Sequence, residues 1–221
     1  MEKYIDIHTH SSENDDDVFS IKNYNAFEDF DIDSPQKYSA GLHPWFLSYE
    51  TKEDGLYNLD KISGYPKIMA IGECGLDRFS ETEFDLQIEI FIKQIAIAEK
   101  RKLPIIIHCV RAFSDLIAIK KKLNPKVPLI IHGFNQNSEI LSELIKHNFY
   151  ISVGEAIFNE NYNAYKLLKN IPENRLFLET DKSKISIKKI YKKAAEILQI
   201  TEKELITIIN QNFQIVFQKN I

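Results

Sequence analysis

The chain has 221 residues, with 28 Lys+Arg against 32 Asp+Glu and a net charge of −4 at pH 7 with histidines neutral. Seven glycines and seven prolines exclude collagen-like and low-complexity chains, and 44% hydrophobic residues exclude a disordered one. Two cysteines, Cys74 and Cys109, cannot build a disulfide framework, and no apolar run approaches the roughly 18 residues of a membrane span.

Strand and helix patterns alternate along the chain. Tyr4-Ile5-Asp6-Ile7 runs directly into His8. The start, MEKYIDIHTH, reads as no signal peptide, which together with the cysteine count predicts a cytoplasmic protein. Weaker strand candidates follow at 18–23 and 38–42. The intervening stretch, 11–38, is short for two βα units and shows no clear amphipathic helix. Its acidic run, Glu13 to Asp17, reads as a solvated turn. Residues 67–72 form an apolar run that stops at Glu73. The clearest helix spans 81–102, where Phe84, Ile88, Phe91, Ile92, Ile95 and Ala98 recur at helical spacing. Strand candidates at 103–107 and 127–131 run into His108 and His132, and those at 149–154 and 176–178 run into Glu155 and Glu179. Helical patterns occupy 112–123, 138–148, 161–170, 187–198, 201–210 and 213–219.

Short, unalternating, β-branched runs are the pattern of parallel strands buried on both faces. Eight of them, with helices between most, predict an α/β fold of the TIM-type (β/α)8 barrel kind, abbreviated in the early βα region. No internal repeat or linker divides the chain, so residues 1–221 read as a single domain. No Gly-rich phosphate loop follows a strand, so a dinucleotide or P-loop reading has no support.

In a parallel barrel the C-terminal strand ends form the rim that holds the active site. Here those ends carry His8, His10, Glu73, His108, His132 and Asp181. His8 and His10 are two apart and share one side of an extended chain, so both imidazoles can reach one ion. Six imidazole and carboxylate donors exceed a closed structural zinc site and suit two divalent ions (Mg, Mn or Zn) sharing a carboxylate. Such a centre performs metal-assisted hydrolysis, with a metal-bound Asp able to accept the proton of the nucleophilic water.

The residues also carry a family resemblance. Asp6-Ile7-His8-Thr9-His10, Gly41-Leu42-His43-Pro44 and Ile71-Gly72-Glu73-Cys74-Gly75-Leu76-Asp77 appear in order. Gln87 and Gln94, His108 with Arg111 and Ala112, His132-Gly133-Phe134 and Glu179-Thr180-Asp181 follow. This ordered set, from Ile5 to Asn212, resembles the TatD family of metal-dependent deoxyribonucleases. The resemblance implies a first metal on His8, His10, Glu73 and Asp181, and a second on Glu73, His108 and His132. Glu73 would bridge, and Asp181 would orient or deprotonate the attacking water. His43 would face the substrate, outside the metal ligands; its alternative is a turn histidine packed by Pro44 and Trp45. The implied activity is a two-metal phosphodiesterase acting on DNA or another phosphodiester, as a 3'-5' exonuclease on single-stranded ends. No membrane and no obligate protein partner are implied.

Two departures bear on substrate choice. The family's His-x-Arg-x-Ala becomes His108-Cys109-Val110-Arg111-Ala112, moving the arginine one place. Arg111 can still neutralise a phosphate, or simply start a helix facing solvent. After Asp181, Lys182-Ser183-Lys184 leads almost directly into a helix in place of a Ser/Pro-rich loop. The alternative activity is therefore metal-dependent hydrolysis of a small phosphate ester, amide or lactone, and the remaining one a non-catalytic, metal-stabilised binding barrel. Cys74 and Cys109 read as core thiols, Asp77 as a loop support, Trp45 and Phe134 as rings able to stack on a base, and Glu155 and His147 as surface groups.

Overall fold

Eight strands follow one another through a single sheet in sequence order in the computed structural model, which describes residues 2–11, 15–28 and 33–219. They are β1 (Tyr4–Thr9), β2 (Val18–Asn25), β3 (Lys37–Gly41), β4 (Ile68–Asp77), β5 (Ile105–Val110), β6 (Leu129–Ile131), β7 (Tyr150–Val153) and β8 (Leu176–Leu178). Parallel pairing joins β1 to β2, β3 to β4, β4 to β5 and β7 to β8. A parallel bridge between Thr9 and Asp181 brings the chain after β8 back to β1. The fold class is the α/β, TIM-type (β/α)8 barrel that the strand pattern predicts.

Seven α-helices are described: α1 (Lys52–Ile62), α2 (Phe84–Arg101), α3 (Phe113–Leu123), α4 (Ser138–Lys146), α5 (Asn163–Leu167), α6 (Ile187–Leu198) and α7 (Glu202–Phe217). Among the described residues no helix lies between Thr9 and Lys37, so the early region is abbreviated as expected. Part of the expected acidic turn, Glu13 and Asn14, lies outside the described residues. Within it, Asp15 and Asp17 are exposed and both pair with Lys188.

Contacts along the chain gather into two units. The first comprises Met1–Lys22 and Ile131–Ile221. Its core is built on β1, β7 and β8 with Ile5, Ile7, Ile151 and Phe177, against Tyr191 of α6 and Phe213 of α7, all fully buried. Burying a tyrosine requires a partner for its hydroxyl. Tyr191 donates to Ile5 O at 3.1 Å and accepts from Ile5 N at 3.0 Å, so the ring fills the core while its tip caps β1. The two C-terminal helical patterns are one continuous helix, α7, started by a Thr201–Glu204 capping box. Asn212 lies within it, turned inward to donate to Glu173 O and Leu176 O. That inward turn explains why a polar residue interrupts the apolar periodicity without ending the helix.

The second unit is Asn23–Ile130. Here α2 lays Leu86, Ile90, Phe91, Ile95 and Ala98 into the interior. Helix α1 is absent from the sequence reading, because Gly55 interrupts its pattern. The glycine is there for space: a Cβ would stand 2.6 Å from the Phe27 ring and 2.9 Å from Leu42. Gly75 of β4 is a second such place, at φ +145° with a Cβ position 2.0 Å from His108 O. Only glycine lets β4 pass this close to the β5 backbone.

Candidate metal centre

In the first unit, β1 places His8, fully buried, and the residue just beyond its end, His10, on one side of the chain. Asp181 is held against them by the backbone: its N–H donates to His8 O and its C=O accepts from His10 N, both at 2.9 Å. These bonds support Asp181 at φ +51°, a left-handed conformation that Asp tolerates better than most residues. Asp181 Oδ1 then lies 3.6 Å from His8 Nε2 and 3.4 Å from His10 Nε2. Behind it, Thr180 donates to buried Asp6 through its N–H at 3.0 Å and its hydroxyl at 2.6 Å. Burial pushes the Asp6 carboxyl up to about 7, against those hydrogen bonds.

His132 follows β6, and its ring centroid is 4.6 Å from that of His8. Its Nδ1 lies 3.3 Å from Oε1 of buried Glu179, which also accepts from Gly133 N at 2.7 Å. A carboxylate on Nδ1 orients the imidazole and leaves Nε2 as its ligand atom. Sequence reasoning placed Glu179 in a motif but assigned it no role.

In the second unit, β4 carries Glu73 and β5 carries His108, each inside its strand rather than beyond its end. Asn23 of β2 accepts from Glu73 N at 2.9 Å and fixes that backbone. Glu73 Oε1 lies 3.2 Å from His43 Nε2 and 3.0 Å from His108 Nδ1. His43 precedes the short helical turn Pro44–Phe46, and its Nδ1 accepts from Trp45 N. Thus His43, which the resemblance assigns to the substrate side, stands in the same donor group as Glu73 and His108. Asp77 closes the arrangement. Its Oδ2 is 2.9 Å from His108 Nε2 and accepts from Trp45 Nε1 at 2.7 Å, while Oδ1 accepts from Phe79 N at 2.8 Å. Burial opposes the ionisation of Asp77, but the hydrogen bonds from His108, Phe79 and Trp45 outweigh it and hold the carboxyl below its ordinary value.

The donor chemistry fits divalent cations. In each of the groups His8–His10–Asp181 and His43–Glu73–His108, one ligand atom per residue lies within 4.8 Å of the others. Ligands about 2.0–2.2 Å from one ion fall about 3–4 Å apart, as the imidazole–carboxylate pairs here do. Each group mixes neutral-capable imidazole with a carboxylate, a combination open to Zn, Mn or Mg.

Arg111 lies outside both groups. It is exposed at φ +51° and rests on the Phe79 ring, 4.5 Å from the centroid. Lys182 and Lys184 are exposed, and exposed Glu155 accepts from the Ser183 hydroxyl. Both cysteines are buried free thiols; burial drives Cys74 strongly upward and Cys109 up to about 12, so neither is a thiolate nucleophile. Phe134 is 1% exposed and cannot offer a face to a base. No described helix is long and apolar enough to cross a membrane.

Comparisons agree with this chemistry. The "TatD related DNase" family matches residues 32–218. A metal-dependent hydrolase from Bacillus subtilis, YabD, is 33% identical over 198 residues, covering 82% of this chain and 77% of that protein. The 3'-5' ssDNA/RNA exonuclease TatD of Erwinia tasmaniensis is 33% identical over 149 residues, covering 65% of this chain and 56% of the exonuclease. Among solved structures, the TatD homologue YJJV of Escherichia coli K12 superposes with a TM-score of 0.82 at 20% identity over 98% of both chains. A TatD-family hydrolase from Entamoeba histolytica does so with a TM-score of 0.77 at 18% identity over 99% of both. These two likenesses concern the fold; the family follows from the sequence match. The chain belongs to the TatD-related DNase family and is a metal-dependent hydrolase.

Proposed function

We propose that this hydrolase is a two-ion phosphodiesterase that shortens nucleic-acid strands from an end, with 3'-5' polarity on single-stranded DNA. The observation that carries the reading is the pair of imidazole–carboxylate donor groups, one in each unit of the chain. The name of the Erwinia relative supports the substrate and the polarity. His8, His10, Glu73, His108, His132 and Asp181 are the proposed ligands, with His43 beside Glu73 as a further donor. When bound, divalent ions at these residues supply Lewis acidity toward a phosphoryl group and lower the pKa of a water.

The chain's own groups do the rest. Asp181 accepts the proton of the attacking water at a carboxylate oxygen. Its side chain is 40% exposed, so water reaches it, and its backbone bonds to His8 and His10 keep it from turning away. Glu73, 6% exposed and contacted by His43 and His108 on one oxygen, is the carboxylate donor of that group. Arg111 takes phosphate charge at the exposed end of β5.

Metal analysis together with end-labelled single-stranded DNA tests the proposal. We expect two ions per chain, stepwise loss of 3' nucleotides, and a drop in kcat/KM on the order of 100-fold or more in a folded His108→Ala variant. A metal-loaded protein that cleaves neither DNA nor a generic phosphodiester overturns the activity. One ion per chain at saturation overturns the two-ion part.

A further inference from the structure

Three large aromatic faces stand in water beside the His43–Glu73–His108 group. Trp45 is 53% exposed, Phe46 57% and Phe79 66%. Clustered apolar exposure of this kind marks a binding surface more often than isolated surface rings do. The loops that carry these rings are tied together. Ser80 Oγ donates to Pro44 O at 3.3 Å, and Trp45 Nε1 donates to Asp77 Oδ2 at 2.7 Å. The indole is therefore held by its polar edge to the same oxygen that lies 2.9 Å from His108 Nε2. His43 meets Trp45 edge-on at 5.0 Å and Phe46 at 5.7 Å between ring centroids. Arg111 covers Phe79 and brings a fixed positive charge to the same surface.

A rigid ring beside a candidate phosphate-binding group has one natural occupant among nucleic acids. Bases inside a duplex have both faces covered by their neighbours, so a flat aromatic shelf receives only an unpaired base. Anchoring Trp45 at its Nε1–H removes much of the entropy cost of ordering the ring on binding. We infer that Trp45 and Phe46 form a stacking shelf for an unpaired nucleobase, with Arg111 on Phe79 contacting the phosphate of the same strand. The placement of that strand rests on the phosphodiesterase reading; the stacking chemistry does not.

Trp45 is the chain's single tryptophan, so fluorescence excited at the red edge, where the ten tyrosines do not absorb, reports on the shelf alone. The metal-loaded protein is titrated with a phosphorothioate single strand that resists cleavage, the same strand annealed to its complement, and an abasic strand of equal length. We expect the single strand to quench Trp45 fluorescence and the other two to leave it largely unchanged. Loss of one stacked ring changes affinity by roughly 5- to 150-fold. Phe46→Ala is therefore expected to weaken the single strand by that factor in an anisotropy titration, with abasic binding unchanged. Arg111→Gln is expected to weaken both strands. Equal quenching by the abasic strand, equal binding of duplex and single strand, or an unaltered Phe46→Ala affinity overturns the shelf. The wild-type quenching arms decide the matter even if a variant misfolds. Quenching by the phosphorothioate strand, with no hydrolysis of the unmodified strand of the same sequence, sinks the phosphodiesterase reading and leaves the shelf. Turnover of a small phosphodiester with no oligonucleotide quenching does the reverse.

Discussion

Asp77 holds His108 and Trp45 through a single oxygen. The sequence assigns it a loop-supporting role, and its bond from Phe79 N is of that kind. The bonds to His108 and Trp45 depend on side chains distant in sequence. An amide in its place cannot satisfy all three partners: one orientation points NH2 at the Trp45 donor, the other at the Phe79 N–H. Asp77→Asn is therefore expected to lower divalent-ion affinity about 10- to 100-fold, since it frees the His108 ring. Calorimetric titration with manganese or zinc checks this, and an unchanged affinity would show that His108 is oriented by something else.

At the scale of elements, α2 shows how one helix supports the ligand strands. Gln87 and Gln94 are seven residues apart, on one face, and each is 1% exposed. Gln94 accepts from Leu42 N at 2.8 Å and donates to Leu42 O at 3.1 Å, next to His43. Gln87 accepts from Asp77 N at 2.7 Å and donates to Asp77 O at 3.0 Å. Each glutamine thus supplies a non-neighbouring backbone with the partners a sheet would supply. Gln94→Leu fills similar space but leaves a buried N–H and C=O unpaired. A loss of roughly 2–5 kcal/mol in denaturant unfolding is expected. A loss below about 1 kcal/mol would mean that Leu42 finds other partners. Helix α2 was legible because its apolar stripe is long and regular. Helix α1 was not, because the glycine that lets it pack closely is also a helix-breaking signal.

For the molecule as a whole, the ligand groups bear on stability. An ion that binds the native chain and not the unfolded one adds RT ln(1 + [L]/Kd), about 2.7 kcal/mol at a hundredfold excess over Kd. For a chain of this length each kcal/mol shifts Tm by about 2–4 °C. Chelation is therefore expected to lower Tm by roughly 5–10 °C, reversed by adding the ion back. Differential scanning calorimetry with and without chelator measures it; equal transitions would mean that the donors are satisfied without metal.

The order of strands, the shortened early region and the ionisable residues near the C-terminal strand ends were all determined by local sequence. Buried parallel strands must be continuously apolar, and a rim residue must break that run, so both are written in adjacent positions. Tertiary structure alone decided the company each side chain keeps. His43 lies in a turn after β3, and only the β3–β4 and β4–β5 registers bring it, with His108, to one oxygen of Glu73. The pairing of Glu179 with His132, 47 residues apart, leaves no local signature for the same reason. Periodicity records which face of an element is buried; it carries no information on which atoms of another element that face will meet.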